Sequence, residues 1–405
     1  MFRSGRHARR AAGEGADMGA TGERWLGVGR SLAADPAEAG AQACREALGG
    51  RTAGLLVVFA SLTHATLEMA QAVHAEAGGD VLMIGCSTSG EFSNDGSGAG
   101  VVVNALGGYS AAVRAVPREV DDLYEAGITA ASCLDDVDGE HRVVLLLGDG
   151  RSSDQQEMVR GAYTVAGAAV PLVGGCAGDN VTQTGTFHFF SDGTTVRLMP
   201  NAVLAAALAA PVPFGIGSAH GWHKVGEPMV VTRSESGTIY ELDGEPALDV
   251  YLRRTGGVPG LETDPDAFLQ FATVRPLGLA RRSGEDIRII FAADPTERSL
   301  SGLADTPEGA MVWFMEADDD EIVDATASAA VAAVSQVTAP LGVLVFDCCV
   351  RPIALGPDRT DLAVTRLRDA LKPLPYGGFW SNGEIVRKPQ AKGMHHLTVV
   401  ALAVG

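Results

Sequence analysis

Leu55-Leu56-Val57-Val58-Phe59-Ala60, then Val81-Leu82-Met83-Ile84, then Gly85-Cys86-Ser87-Thr88-Ser89-Gly90-Glu91-Phe92: these three stretches decide how the chain is read. The first is a short apolar run rich in β-branched residues, which predicts a buried strand. Ser61 to Thr63 supplies a helix cap, and Leu67, Ala70 and Val73 recur at helical spacing up to Ala77. Gly78-Gly79 ends that helix. Val81 to Ile84 is a second buried strand, running into a glycine turn that carries an acid, Glu91.

The same order returns twice. Val143 to Leu147 predicts a strand, Ser153 with Gln156 a capping box, and Met158, Ala162 and Val165 a helix. Val170 to Val173 is a strand leading into Gly174-Gly175-Cys176-Ala177-Gly178-Asp179. In the third lap Val343 to Phe346 is a strand, and Asp358 or Thr360 caps a helix carrying Ala363, Leu367 and Leu371. Gly378-Phe379-Trp380-Ser381-Asn382-Gly383-Glu384-Ile385 follows. Strand start and glycine turn lie about 30 residues apart, the size of a β-α-β unit. Glycine pairs or Ser-Asp-Gly separate further strands: Val101–Leu106 from Tyr109–Val116, and Thr186–Phe190 from Thr194–Leu198. Both read as hairpins.

These patterns predict a mixed α/β (α+β) fold. It consists of repeated β-α-β units plus antiparallel strands, in mixed sheets with outer helices. Packed back to back, such sheets give an α-β-β-α layered sandwich. Residues 1–20 read as a disordered tail, or as an over-called start with Met18 the true one. The break at Pro211-Val212-Pro213-Phe214-Gly215 divides the rest into domains at 21–212 and 213–405. Between the second and third laps lies a different region. It has strands at Met229–Thr232, Thr238–Leu242, Ile287–Ala292 and Met311–Met315, a loop from Gly256 to Pro265, and helices at Ala247–Arg253 and Ala325–Gln336.

Hydrophobic residues make up 46% of the chain and charged residues 20%, so it can fill an ordinary interior. The net charge of −19 has no basic stripe to offset it, which argues against nucleic acid and anionic membrane as partners. No apolar run is long enough to span a bilayer, so membrane insertion is not expected. Six cysteines without a paired C-x-x-C argue against zinc and fit a reducing cytoplasm.

The glycine turns are the strongest candidate site. Glycine lets a backbone approach a ligand closely, and the acid then stands at a strand end. Ser87, Thr88, Ser89, Glu91, Asp179, Asn180, Trp380, Asn382 and Glu384 are the expected binding residues. Arg351 joins them, gripping a carboxylate or fixing Glu91 or Glu384. A ligand with an amine or several hydroxyls suits this set. The same turns also read as tight turns whose acids bond their own loops.

Other motifs fail. Gly85-Cys86-Ser87-Thr88-Ser89 lacks the second glycine and the helix of a hydrolase nucleophile elbow. No Gly-Lys-Ser/Thr follows Gly174. Cys348-Cys349 near Arg351 leaves a cysteine nucleophile, or acid–base work by the carboxylates, as the enzyme alternative. A buried thiol is the plainer reading. His220, His223, His395 and His396 are scattered, without metal-ligand spacing, and no metal or catalytic residue is assigned.

With these motifs in place, the chain resembles the FIST family of small-ligand sensory proteins. The resemblance rests on the two N-terminal glycine turns and on Gly221-Trp222 to Gly226, Leu242-Asp243-Gly244 with Pro246-Ala247, and Tyr251. It extends to Phe346-Asp347-Cys348 to Arg351 and Gly378-Phe379 to Gly383-Glu384-Ile385. It implies signal transduction by binding a small, amino-acid-like molecule, with no cofactor. Some family members are haem proteins that sense nitric oxide, which makes a haem gas sensor the alternative. FIST parts are often fused to kinase, chemoreceptor or cyclase modules. None is recognisable here, so the resemblance implies a separate signalling output protein. A homo-oligomer is left open.

Overall fold

The computed structural model describes residues 22–117, 122–152, 154–180, 184–235, 237–281, 284–302, 305–387 and 393–405. The first lap contains β1 (Trp25–Ser31), α1 (Pro36–Leu48), β2 (Leu55–Ser61), α2 (Leu67–Glu76) and β3 (Leu82–Thr88). A short hairpin, β4 (Glu91–Ser93) and β5 (Gly96–Gly98), and then β6 (Val101–Gly107) complete it. The second lap repeats the order. It has β7 (Ser110–Val116), α3 (Leu123–Ala131), β8 (His141–Asp149), α4 (Gln155–Ala166), β9 (Leu172–Ala177), the hairpin β10 (Phe187–Asp192) and β11 (Val196–Pro200), and β12 (Val203–Ala210).

The third lap opens with β13 (Gly215–Ala219) and is at once interrupted. The insert holds β14 (His223–Glu235), β15 (Thr238–Leu242), β16 (Glu245–Pro246), α5 (Ala247–Thr255) and α6 (Pro265–Thr273). It continues with β17 (Leu277–Arg281), β18 (Gly284–Arg288), β19 (Ile290–Asp294), β20 (Ser299–Gly302) and β21 (Met311–Glu316). The lap then resumes with α7 (Asp319–Val334), β22 (Gly342–Cys348), α8 (Val350–Leu371), β23 (Tyr376–Ser381), the pair β24 (Glu384–Arg387) and β25 (Met394–His395), and β26 (Val399–Val404).

Each lap builds one sheet and donates its hairpin to another. The sheet orders are β1-β6-β2-β3-β10-β11, β7-β12-β8-β9-β24-β25 and β13-β26-β22-β23-β4-β5. The first lap therefore caps the third sheet, the second caps the first, and the third caps the second. This cyclic exchange ties the three laps into one body.

Period-two alternation then sorts the side chains. Leu55, Val57 and Phe59 face a core shared with Val143, Leu145 and Leu147 of the second sheet and Leu344 and Phe346 of the third. Their neighbours Leu56, Val58 and Ala60 pack under α1 and α2. Val144 and Leu146 pack under α3 and α4, and Val343 and Val345 under α7 and α8. The predicted mixed sheets with outer helices are present. The sheet-and-helix layering occurs three times around one core, where a two-sheet sandwich was expected. Phe59, Phe346 and Phe379 meet at its centre, with ring centroids 4.5–6.1 Å apart.

Close helix-to-sheet contact explains two glycines. A Cβ on Gly29 would sit 2.1 Å from the Ala43 carbonyl of α1, and one on Gly217 would sit 1.9 Å from the Ala329 carbonyl of α7. Local signals set the helix ends. Asp35 caps α1 through the Glu38 N–H, with Pro36 in its first turn and Gly49 left-handed at its end. Asp318 and Glu321 form a capping box on α7.

Several expectations change. The strands flanking Gly107-Gly108 are not a hairpin. β6 lies between β1 and β2 in the first sheet, while β7 pairs with β12 in the second. Both edges of β6 are already hydrogen-bonded, so none remains for β7. Ile287–Ala292 splits into β18 and β19 at Ile289. The third-lap helix starts at Val350, ahead of Asp358 and Thr360, with a break at Gly356 before Pro357. The Ala-rich helix starts earlier, at Asp319, because its acids serve its cap. Helix α6 occupies residues next to the expected loop. The Ser153 cap lies outside the described residues, and so does the N-terminal stretch 1–20.

Candidate functional site at the strand crossovers

The chain leaves one sheet for the next just after β3, β9 and β23. Their last residues, Thr88, Ala177 and Ser381, pair in parallel register with Ser61, Asp149 and Cys348 at the ends of β2, β8 and β22. All three crossovers meet. Ser89 N–H donates to the Trp380 carbonyl (3.1 Å), and Trp380 N–H donates to the Gly90 carbonyl (2.9 Å). Gly178 N–H donates to the Ser87 carbonyl (2.9 Å), and Ser87 Oγ donates to the Gly178 carbonyl (2.8 Å). Asn382 N–H donates to Cys176 O (3.1 Å), and Cys176 N–H donates to Gly383 O (2.8 Å). Every pair of laps is thus joined, in a closed ring of hydrogen bonds.

The ring is tight at Gly178. A Cβ there would lie 2.7 Å from the Ser89 nitrogen and 2.6 Å from its Oγ. Backbone must move to admit it, so Gly178→Ala is expected to lose about 1–3 kcal/mol of stability in urea unfolding. A loss below about 0.5 kcal/mol would mean that the ring is loose.

The acids of the turns point back into their own laps. Glu91 is fully buried. Its carboxylate accepts from Ser61 Oγ (2.8 Å), the Gly100 N–H (2.9 Å) and Thr88 Oγ1. Burial pushes its carboxyl up to about 7, while the Thr88, Ser61 and Gly100 donors and Arg30 pull the other way. Glu384 repeats the arrangement with Ser381 Oγ (2.7 Å) and the Thr398 N–H (3.3 Å), and burial raises it well above the usual carboxylate range.

In the second lap the position in register with Glu91 and Glu384 is Asn180, exposed with φ 56°. Asp149 carries the buried charge there, accepting from Thr186 Oγ1 (2.8 Å), Ser152 Oγ (2.9 Å) and the Arg151 N–H (3.0 Å). Asp179 is buried as well. His188 fills the space behind. Its Nε2 donates to Gly148 O (3.1 Å) and its Nδ1 accepts from Ala202 N–H (3.3 Å), which fixes the neutral tautomer. Burial lowers its pKa to about 4.

Of the predicted residues, Ser89, Asn382 and Asn180 keep solvent exposure, while Ser87, Thr88, Glu91, Asp179 and Glu384 are buried. Ser89 Oγ donates to Asn382 Oδ1 (3.2 Å). Trp380 is half-buried on Phe92, with ring centroids 5.4 Å apart.

Arg351 is a correction. It is 1% exposed and pairs with Asp347 (2.6 Å), not with Glu91 or Glu384. Its remaining donors go to His220 O, Ile322 O and Thr326 Oγ1. The i,i+4 spacing from Asp347 brings the two together, and burial leaves no donor for a ligand. Cys348 and Cys349 are both buried. Cys348 is buried and pushed well above its ordinary range by that burial, which keeps it protonated. No group of three or more His, Cys, Asp or Glu placed to hold a metal occurs among the described residues.

Reading the sequence missed Gly150 and Gln155. A Cβ on Gly150 would lie 2.5 Å from Asn382 Cβ, so this loop packs directly against the Asn382 turn. Gln155 Nε2 donates to Gly150 O (3.0 Å) and Asn382 O (3.3 Å), which fixes the amide's orientation. Its Oε1 is buried with no hydrogen-bond partner among the described residues. Asp149 in register with Ser61, at a Gly-Asp-Gly strand end, was the available signal.

No described helix is long and apolar enough to cross a membrane. Comparison with known families matches residues 54–245 to the FIST N domain and residues 247–387 to the FIST C domain. Two uncharacterized proteins from strains of Mycobacterium tuberculosis, MT0656 and Rv0628c, are 28% identical over 399 residues, 92% of this chain and 97% of theirs. An uncharacterized protein of Methanocaldococcus jannaschii, MJ1623, is 26% identical over 263 residues. That match covers 60% of this chain and 49% of the archaeal protein, about half its length.

Proposed function

The chain belongs to the FIST family, whose domains point to a signal-transduction sensor, and we propose that it binds a small, amino-acid-like ligand at the mouth of the crossover ring. The observation that carries this reading is the buried, unpartnered Oε1 of Gln155, which faces Gly383 while the Nε2 of the same amide donates to Gly150 O and Asn382 O. A buried acceptor without a donor costs roughly 1–3 kcal/mol, and a ligand ammonium arriving there recovers it. Asn382 Nδ2 offers a donor to a carboxylate there, and Arg151, next in the chain to Gly150, is exposed. The buried carboxylates hold the ring's shape beneath the ligand. A ligand touching three laps at once shifts how they sit against one another, and a separate output protein in the cytoplasm reads that shift.

A thermal-shift screen of the intact protein against the common amino acids tests this. A ligand at a hundred times its Kd adds about 2.7 kcal/mol of stability. Asn382→Ala is expected to abolish the shift while leaving the unliganded melting point within a few degrees of the parent. An amino acid that stabilises parent and variant equally binds elsewhere, and a screen with no shift at all removes the amino-acid reading.

A further inference from the structure

At the opposite end of the β9–β24 pair, a second cleft has its own chemistry. It encloses about 400 Å³ between the second and third laps. Val170, Pro171, Phe214 and Ile216 give it apolar walls, and Tyr163, Gln336 and Arg387 supply its polar groups. The Arg387 guanidinium lies 3.3 Å from the centre of the Tyr163 ring. Arg387 pairs with Leu172 at the start of β9, and Glu384 pairs with Gly175 nearer the crossover. The cleft is therefore separate from the ring.

Arg387 is one of several arginines with no acid partner among the described residues, and unlike Arg254 and Arg275, which line another cleft, it donates to no carbonyl either. The chain carries 50 acidic residues against 31 Lys and Arg. Its other arginines are widely matched: Arg45 with Glu76, Arg114 with Asp136, Arg160 with Glu157, Arg366 with Asp324. Among the described residues Arg387 has no carboxylate or carbonyl partner, only the Tyr163 ring. A planar cation stacked on an aromatic is held in place, with its fork of N–H donors left for a planar anion. The volume and the mostly apolar walls are those of a small-molecule pocket.

We infer that this cleft binds a small carboxylate with an apolar body. The carboxylate pairs with Arg387 in the two-point manner of a guanidinium, and the body lies against Val170, Pro171, Phe214 and Ile216. The apolar walls favour a carboxylate over phosphate, which would bring more charge and no apolar surface. Because the cleft spans two laps, its occupant joins the same elements that meet in the ring.

The test titrates the intact protein with hexanoate, benzoate and phenylacetate, following the melting temperature, with the matching amides and inorganic phosphate as controls. At least one carboxylate is expected to raise the melting temperature in a saturable way, with its amide at least tenfold weaker. Arg387→Met is expected to weaken that carboxylate at least tenfold, and Arg387→Lys to retain part of the affinity. Asn382→Ala leaves it unchanged, which separates this site from the crossover mouth. An acid and amide of equal potency, binding unaffected by Arg387→Met, a response to phosphate alone, or no Arg387-dependent shift from any of the three overturns the assignment.

Discussion

Replacing Arg351 by Met lowers the free energy of unfolding by about 3–5 kcal/mol, because it strands a buried acid and several buried acceptors at once. Asp347 is 5% exposed, and burial already raises its carboxyl despite the guanidinium beside it. Without Arg351, the carbonyls of His220 and Ile322 also lose their donors, at 3.0 and 2.7 Å. These three partners lie on β22, on the link between β13 and β14, and on α7, so the arginine fastens the insert's entry to the third sheet. Adding Asp347→Leu is expected to restore part of the loss and not all of it, since the two carbonyls stay unpaired. Urea unfolding of the single and double variants measures this. A single variant within about 1 kcal/mol of the parent would show that water reaches the site and replaces the guanidinium.

The second large effect depends on pH. Glu91 rises from its ordinary 4.5 to about 7 in the folded protein. The folded state thus holds the proton more tightly than the unfolded chain. The resulting stability is fully present below about pH 4.5 and is lost as pH rises through about 7. At about 1.4 kcal/mol per pH unit the loss approaches 3 kcal/mol by pH 8. Glu91→Gln keeps a neutral side chain of the same shape and removes this dependence. The difference in unfolding free energy between parent and variant should therefore change by about 3 kcal/mol between pH 4.5 and pH 8, in favour of the variant at high pH. A difference that stays flat would place the Glu91 carboxyl at an ordinary pKa. Glu384 gives the parent a further loss of the same sign, which cancels in the comparison. His188 acts oppositely: its neutral form is built in, so its contribution is present above about 6.5 and lost as pH falls through about 4.

Much of this molecule is legible in its sequence. The three laps, their strand–helix–strand order and the acid after each glycine turn are local patterns, and local patterns survive translation into structure. The starts of α1 and α7 at Asp35 and Asp318 are local signals too, but α1 went unread and the Ala-rich helix was expected to begin only at Ala325. The misreadings share a different cause. Gly107-Gly108 looks like a hairpin turn whichever sheet its flanking strands join, because turn chemistry fixes a change of direction and not a partner. Gly174 and Gly175 look like part of a ligand turn. In the fold a Cβ on Gly174 would strike the Leu146 carbonyl at 2.0 Å, and one on Gly175 would crowd Phe379 and Phe346. Arg351 looked free because its partners lie at positions 220, 322 and 326 as well as at nearby Asp347.

The sequence by itself determined that there are three copies of a β-α-β unit, and that polar turns end their inner strands. Side-chain periodicity and glycine placement are properties of a few neighbouring residues, so they can be read from the chain. The tertiary structure alone decided that each copy lends a hairpin to another, that the three turns close into one ring, and that among the described residues Gln155 Oε1 has no donor and Arg387 no acid. Those outcomes depend on contacts between residues hundreds of positions apart, whose pairing is set by packing around one shared core.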